Sequence, residues 1–247
     1  MNNWLGLIIG NSRLHWCYFD GEKIQQTWNT SQGESLAELY HMLDNNLYSY
    51  LKAQIPLYIA SVVPSATKIF LSLPQTTIID PKIIPLQDIY FTMGIDRILA
   101  LWGAGSTYGF PCLVIDSGTA LTFTGADENR KLIGGAILPG VRLQLQTLFF
   151  NTAALPEIEI IEDIIPRWAK NTSSAIQSGI VYSLIASIRD FSQDWLSKYP
   201  ESKVILTGGD ASLLFQYLKA VVPDLSDKIT VDVNLIFLGM QKYITDL

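Results

Sequence analysis

The sequence predicts an α/β protein built as two like domains facing across a cleft. Three observations carry this. Short apolar, β-rich runs alternate with segments of helical period along the 247 residues. The stretch 5–21, LGLIIGNSRLHWCYFDG, runs strand, small-residue turn, strand, acidic turn, and the stretch 112–127, CLVIDSGTALTFTGAD, does the same. Each copy then opens a similar hairpin-then-helix series, so an ancient duplication is the economical account. Aligning Gly10 with Gly118 sets Asn11 on Thr119 and Ile8 on Asp116.

The elements follow in order. After the first hairpin or meander, residues 33–51 carry Leu36, Leu39, Leu43, Leu47 and Leu51 at helical spacing, which predicts one helix. Residues 55–63, IPLYIASVV, read as a buried parallel strand, and 76–80, TTIID, as another. Residues 94–109 predict a helix with Ile95, Ile98, Leu99 and Trp102 on one face. A new start at Cys112 gives three strands through residue 140, joined by Gly- and Asp-bearing turns, and a helix over 141–150. The strongest helical cadence spans 173–199, where Ile176, Ile180, Leu184, Ile188, Phe191 and Trp195 recur over about five turns behind Thr172 or Ser173 as N-cap. Residues 203–218 read strand, glycine turn, helix, and 234–244 a short apolar helix. The boundary between domains is expected near Phe110-Pro111, giving 1–111 and 112–247.

Composition excludes several classes. With 49% hydrophobic and 16% charged residues the chain can bury a large core and is not disordered. A formal net charge of −6 without a dense Lys/Arg run argues against nucleic acid as a partner. The N-terminus lacks a basic leader and small-residue cleavage site, and no run reaches the ~18 apolar residues of a membrane span. Cys17 and Cys112 sit far apart in apolar strands, as buried free thiols in a reducing compartment. These features together point to a cytoplasmic protein.

Four constellations could carry chemistry, and each also fits an ordinary turn when taken alone. In DSGTALT, residues 116–122, Gly118 lets backbone N–H groups approach an anion, Thr119 and Thr122 add hydroxyls, and Asp116 can hold a cation directly or through water. A hairpin turn with an Asx bond would explain the same letters. Thr207-Gly208-Gly209-Asp210 follows an apolar strand and opens a helix, leaving room for a flat ligand near helix N-terminal amides. In Gly94-Ile95-Asp96-Arg97 the acid can complement the helix dipole, or accept a hydroxyl proton while Arg97 steadies a carboxylate or phosphoryl group. The three glycines and proline of residues 134–140 fix a side-chain-poor path. His15 and His41 lack partners at metal-ligand spacing, so no histidine metal centre is expected and His15 is placed at the hairpin edge. Neither a GxSxG elbow, a Walker-type loop nor a Rossmann GxGxxG occurs.

In order, the motifs IIGNS, GIDR, DSGTALT, GGAILPG, KNTSSAIQSG and TGGDA resemble those of the type III pantothenate kinases, relatives of sugar kinases, actin and the heat-shock chaperone ATPases. The resemblance spans nearly the whole chain, from residue 5 to about residue 211. It implies two ribonuclease-H-like domains of the actin-like ATPase kind, a homodimer, and transfer of the ATP γ-phosphoryl group to the primary hydroxyl of pantothenate. It also implies ATP with Mg2+ and an activating monovalent cation, K+ or NH4+. Carried over by position, Asp96 is the catalytic base, and Gly94, Ile95, Asp96, Arg97 and Thr172 bind pantothenate. Ile8, Ile9, Gly10, Asn11, Ser12, Arg13, Leu14 and His15 form the first phosphate loop. Thr119 reaches the ATP phosphates, Gly208 and Gly209 border the adenosine, and Asp116 binds the monovalent cation.

One position departs from the family pattern. The first loop of these kinases generally reads Asp-x-Gly-Asn-Thr, and here it reads Ile8-Ile9-Gly10-Asn11-Ser12. The Gly-Asn-Ser amides and hydroxyl can still hold phosphate oxygens; what weakens is the organisation of Mg2+. Two other readings therefore stand beside the kinase: a non-catalytic relative that binds nucleotide or pantothenate as an accessory regulator, and a phosphohydrolase sharing the phosphate loops. Tyr90, upstream of GIDR, offers a pantothenate-facing aromatic at a spacing that does not align with the family.

Overall fold

In the computed structural model residues 3–246 are described, and the chain divides into two compact units. The first begins with the antiparallel meander β1 (Trp4–Ile9), β2 (Leu14–Asp20) and β3 (Lys23–Thr30). β4 (Leu57–Ser61) and β5 (Thr76–Ile78) then add in parallel on the other side of β1, giving the order β3-β2-β1-β4-β5. All six residues of β1 are buried, as expected of a strand covered on both faces. β3 alternates exposed and half-buried positions, the pattern of an edge.

The leucine period of residues 33–51 is real, but two helices share it rather than one. α1 (Leu36–Met42) is capped by Ser35, whose Oγ accepts from the Glu38 N–H, and it stops at the extended Leu43. Asp44 restarts the chain as the N-cap of α2 (Asn45–Lys52), accepting from Leu47 N–H at 2.7 Å and also from the Trp28 indole. An Asp free to cap locally competes with helix continuation, and here it wins. Leu39, Leu47 and Leu51 still reach one core with Leu5, Leu7, Ile9, Trp16 and Ile59. Each such leucine contributes about 1.5–3 kcal/mol by burial. α3 (Pro64–Phe70) starts on a proline at its first turn and closes this core with Phe70.

α4 (Ile95–Tyr108) is buried continuously from Arg97 to Gly105, which suits a helix that is apolar nearly all round. In the second unit β6 (Cys112–Ser117), β7 (Ala120–Ala126) and β8 (Leu132–Pro139) form a second meander. α5 (Val141–Asn151) and α6 (Thr172–Lys198) follow. β9 (Lys203–Thr207), α7 (Ala211–Val221), α8 (Pro223–Ser226) and β10 (Ile229–Val231) complete the unit. β9 and β10 are parallel to β6, so the order β8-β7-β6-β9-β10 repeats that of the first sheet strand for strand. This is the ribonuclease-H-like arrangement twice over. The N-cap of α6 is Asn171, whose Oδ1 accepts from Ser174 N–H at 2.9 Å, and not Thr172 or Ser173; both of those lie inside the first turn.

α9 (Leu235–Thr245) ends the chain and packs with the first unit. Met240 lies against Gly6, Gln241 Nε2 donates to Glu22 O at 2.8 Å, and the Asp80 N–H donates to the Tyr243 hydroxyl at 3.3 Å. Gly239 rests directly on the Leu99 carbonyl of α4, where a Cβ would collide. The first unit accordingly holds residues up to Pro85, Tyr90–Gly103 and those from Ile236 on, and the second holds Leu86–Ile89 and Ala104–Leu235. These differ from the contiguous 1–111 and 112–247 because α4 is divided after Gly103 and α9 returns to the first sheet. Among the described residues no helix is long and apolar enough to cross a membrane. Cys17 and Cys112 are buried free thiols, and burial pushes the Cys112 thiol up to about 12.

Candidate active site

The expected site residues fall in both units, on turns at the ends of each sheet and on the first turns of α4 and α6. In the first unit β1 ends at Ile9, the chain turns through Gly10 to Arg13, and β2 resumes at Leu14. Gly10 N–H closes the turn on Arg13 O at 3.1 Å. Ile8 is buried and pairs across the ladder with His15 and, on its other side, with Ala60. His15 is not merely at an edge: its Nδ1 meets Asn29 Oδ1 on β3 at 2.5 Å. Burial lowers the His15 pKa, the bond to Asn29 opposing it and nearby Arg13 adding to it. No carboxylate stands in this row of the sheet.

Gly94 and α4 carry the second group. The Asp96 side chain turns back onto its own helix end, Oδ1 accepting from Arg97 N–H at 2.8 Å. A Cβ on Gly94 would collide with that carboxylate, so the glycine makes its position available. Arg97 is almost fully buried, and its Nη1 donates to the Tyr90 hydroxyl at 2.7 Å. This pairing was not readable in sequence, since Tyr90 and residues 91–94 before α4 make no regular element.

In the second unit three turns converge. Asp116 is the fifth residue of β6 and pairs with Thr207 of β9. Gly208 (φ +95°) lies so close to Asp116 Oδ1 and Ser117 O that no side chain fits there. Asp210 N–H donates to Ser117 O at 2.9 Å, and Gly140 N–H donates to Thr119 O at 2.9 Å. Gly140 also abuts the Gly118 carbonyl. Thus Asp116, Gly118, Thr119, Gly140 and Gly208 come together, while Gly209 has open space around it. Arg142 Nε lies 3.5 Å from Asp210 Oδ1 and also lines an open cavity of about 370 Å³ between α5 and residues 157–160, with Gln146, Glu157 and Glu159. Thr172 opens α6 as an exposed residue. No group of three or more His, Cys, Asp or Glu side chains suited to a metal occurs among the described residues.

The arrangement offers side-chain-poor turns with amide and hydroxyl donors at two sheet ends, a carboxylate at one of them, and an acid–arginine pair on a helix N-terminus. That is equipment for polyphosphate and an alcohol acceptor. The family model for type III pantothenate kinase matches residues 4–194. The type III pantothenate kinase of Nostoc sp. is 48% identical over 97% of this chain and 94% of its own length. That of Synechocystis sp. is 47% identical over 96% and 88%. Among solved structures, a Campylobacter jejuni protein assigned to the Baf family aligns with a TM-score of 0.64 at 22% identity, covering 98% of each chain.

Proposed function

The chain belongs to the type III pantothenate kinase family and is an ATP-dependent pantothenate kinase of coenzyme A biosynthesis, and we propose that Asp96, Arg97 and the two glycine-turn groups carry its reaction. Asp96 accepts the proton of the pantothenate primary hydroxyl as that oxygen bonds to the γ-phosphorus, and the bond from phosphorus to the ADP oxygen breaks. Arg97, held by Tyr90, counters charge on the transferring group and on the substrate carboxylate. Gly94, Ile95 and Thr172 complete the pantothenate side. Residues 8–15 and Thr119 hold the triphosphate through amides and hydroxyls, and Gly208 and Gly209 border the adenosine. The observation that carries this reading is the Gly94–Asp96–Arg97 end of α4, where a glycine clears the carboxylate and a hydroxyl fixes the arginine.

Bound Mg2+ supplies neutralisation of the phosphate charge. Asp116 is half-buried at the end of β6, with Gly208 and the Ser117 carbonyl packed beside its carboxylate, and we assign K+ or NH4+ to these oxygens. The row of Ile8 and His15 contributes no carboxylate, so these residues would leave Mg2+ to be held by groups other than this loop's side chains. We place the enzyme in the cytoplasm as a homodimer. The test supplies purified protein with ATP, Mg2+, K+ and pantothenate and measures 4′-phosphopantothenate. Product is expected, and Asp96→Asn should slow its formation about 1,000-fold while leaving folding and pantothenate binding intact. A folded, pantothenate-binding wild type that makes no product would instead support the accessory regulator to which Ile8 points.

A further inference from the structure

Gln32 lies just beyond the end of β3, half-buried behind the Gly10–Arg13 turn. Its side-chain Nε2 donates to Gly10 O at 2.5 Å and to Asn11 O at 3.3 Å, using the two N–H bonds of one amide. The neighbouring carbonyls are engaged as well: Ile9 O accepts from Val62 N–H and Arg13 O from Gly10 N–H, each at 3.1 Å. The carbonyl oxygens of residues 9, 10, 11 and 13 are therefore all turned onto internal donors. The Asn11 N–H, on an exposed residue, donates to nothing among the described residues.

A turn whose oxygens point inward presents amide hydrogens outward, and such a concavity attracts anions. A carbonyl swung the other way would face a phosphate oxygen and repel it. With Ile8 in place of an acid, this loop has no side chain to recruit a cation that could mask a misdirected carbonyl. We infer that Gln32 is a positioning residue for the first phosphate loop: it holds the Gly10 and Asn11 carbonyls back from the triphosphate, so that the Asn11 amide meets it unopposed by them. The inference rests on reading residues 8–15 as that loop.

The test compares ATP with adenosine by calorimetric titration of wild type, Gln32→Met and Gln32→Glu. Methionine keeps the length and removes the donors; glutamate keeps the shape and sets a carboxylate against two carbonyls. Gln32→Met should weaken ATP binding ~10-fold, the scale of one charge-assisted hydrogen bond, and leave adenosine within ~2-fold. Gln32→Glu should weaken ATP ~100-fold with adenosine again spared. In the kinase assay KM for ATP should rise in step while KM for pantothenate stays put. Unchanged ATP affinity in Gln32→Met, or equal losses for ATP and adenosine, overturns the inference. A measurement on wild type covers variants that do not fold: amide exchange at Asn11 should slow with ATP and not with adenosine, and no slowing with ATP overturns it too. A wild type lacking kinase activity would sink the proposed reaction, yet the ATP–adenosine comparison would still judge Gln32.

Discussion

Ile8 and Asp116 occupy the same point of two sheets with the same strand order. Each is the fifth residue of its unit's first strand. Each pairs with an antiparallel neighbour, His15 or Thr122, and with a parallel one, Ala60 or Thr207. One is a buried aliphatic residue beside an imidazole whose pKa burial lowers; the other is a half-exposed carboxylate beside a hydroxyl-bearing residue and a missing side chain at Gly208. Topology thus sets where the two glycine turns stand, and single residues decide whether a carboxylate stands beside them. The first unit has an aliphatic residue at this point of its sheet; the second has an acid.

That contrast can be broken at several points. The largest effect is expected outside it, at Asp96→Asn, which should lower kcat about 1,000-fold as loss of a general base does, with KM for pantothenate little changed. Making the second unit like the first, Asp116→Ile, should cost about 100-fold in rate and remove K+ activation, read as velocity against K+ concentration. Making the first like the second, Ile8→Asp, places an acid at a buried position and should cost about 3 kcal/mol in denaturant unfolding. It should also lower the Mg2+ concentration for half-maximal rate; an unchanged metal titration would falsify the idea that Ile8 vacates a metal position.

The smallest effect concerns His15. Its folded pKa lies below its ordinary 6.5, so the unfolded chain binds more protons in the window between the two. Stability should be full above pH 6.5 and fall as the pH drops through that window. His15→Gln should flatten the dependence, and equal slopes for both proteins in urea titrations from pH 7.5 to 5 would count against it.

Much of the fold was legible because it is written locally. The two strand–turn–strand segments, the 3.6-residue period of α6 and the glycine turns after β6 and β9 need only near neighbours to form. What was hidden depends on competition or on distance. Asp44 interrupts an unbroken leucine period because capping Leu47 outweighs one more helical turn, and Asn171 takes the cap from Thr172 in the same way. At the site, DSGT and TGG were each readable as glycine turns. That Gly208 backs onto Asp116 follows from β6 pairing with β9, whose partners such as Asp116 and Thr207 lie 91 residues apart, which no window of sequence displays. Tyr90 on Arg97 and Gln32 on the Gly10 turn are side-chain contacts made by irregular segments, and periodicity has nothing to say about those.

The return of α9 to the first sheet has a consequence for how the chain comes off the ribosome. Met240 covers Gly6 and Gln241 secures Glu22, so the unit begun first is completed last, after every residue of the other has been synthesised. Until then the Gly6 position of β1 lacks the cover of Met240, so a translation product ending before α9 would lack the last layer of the first unit.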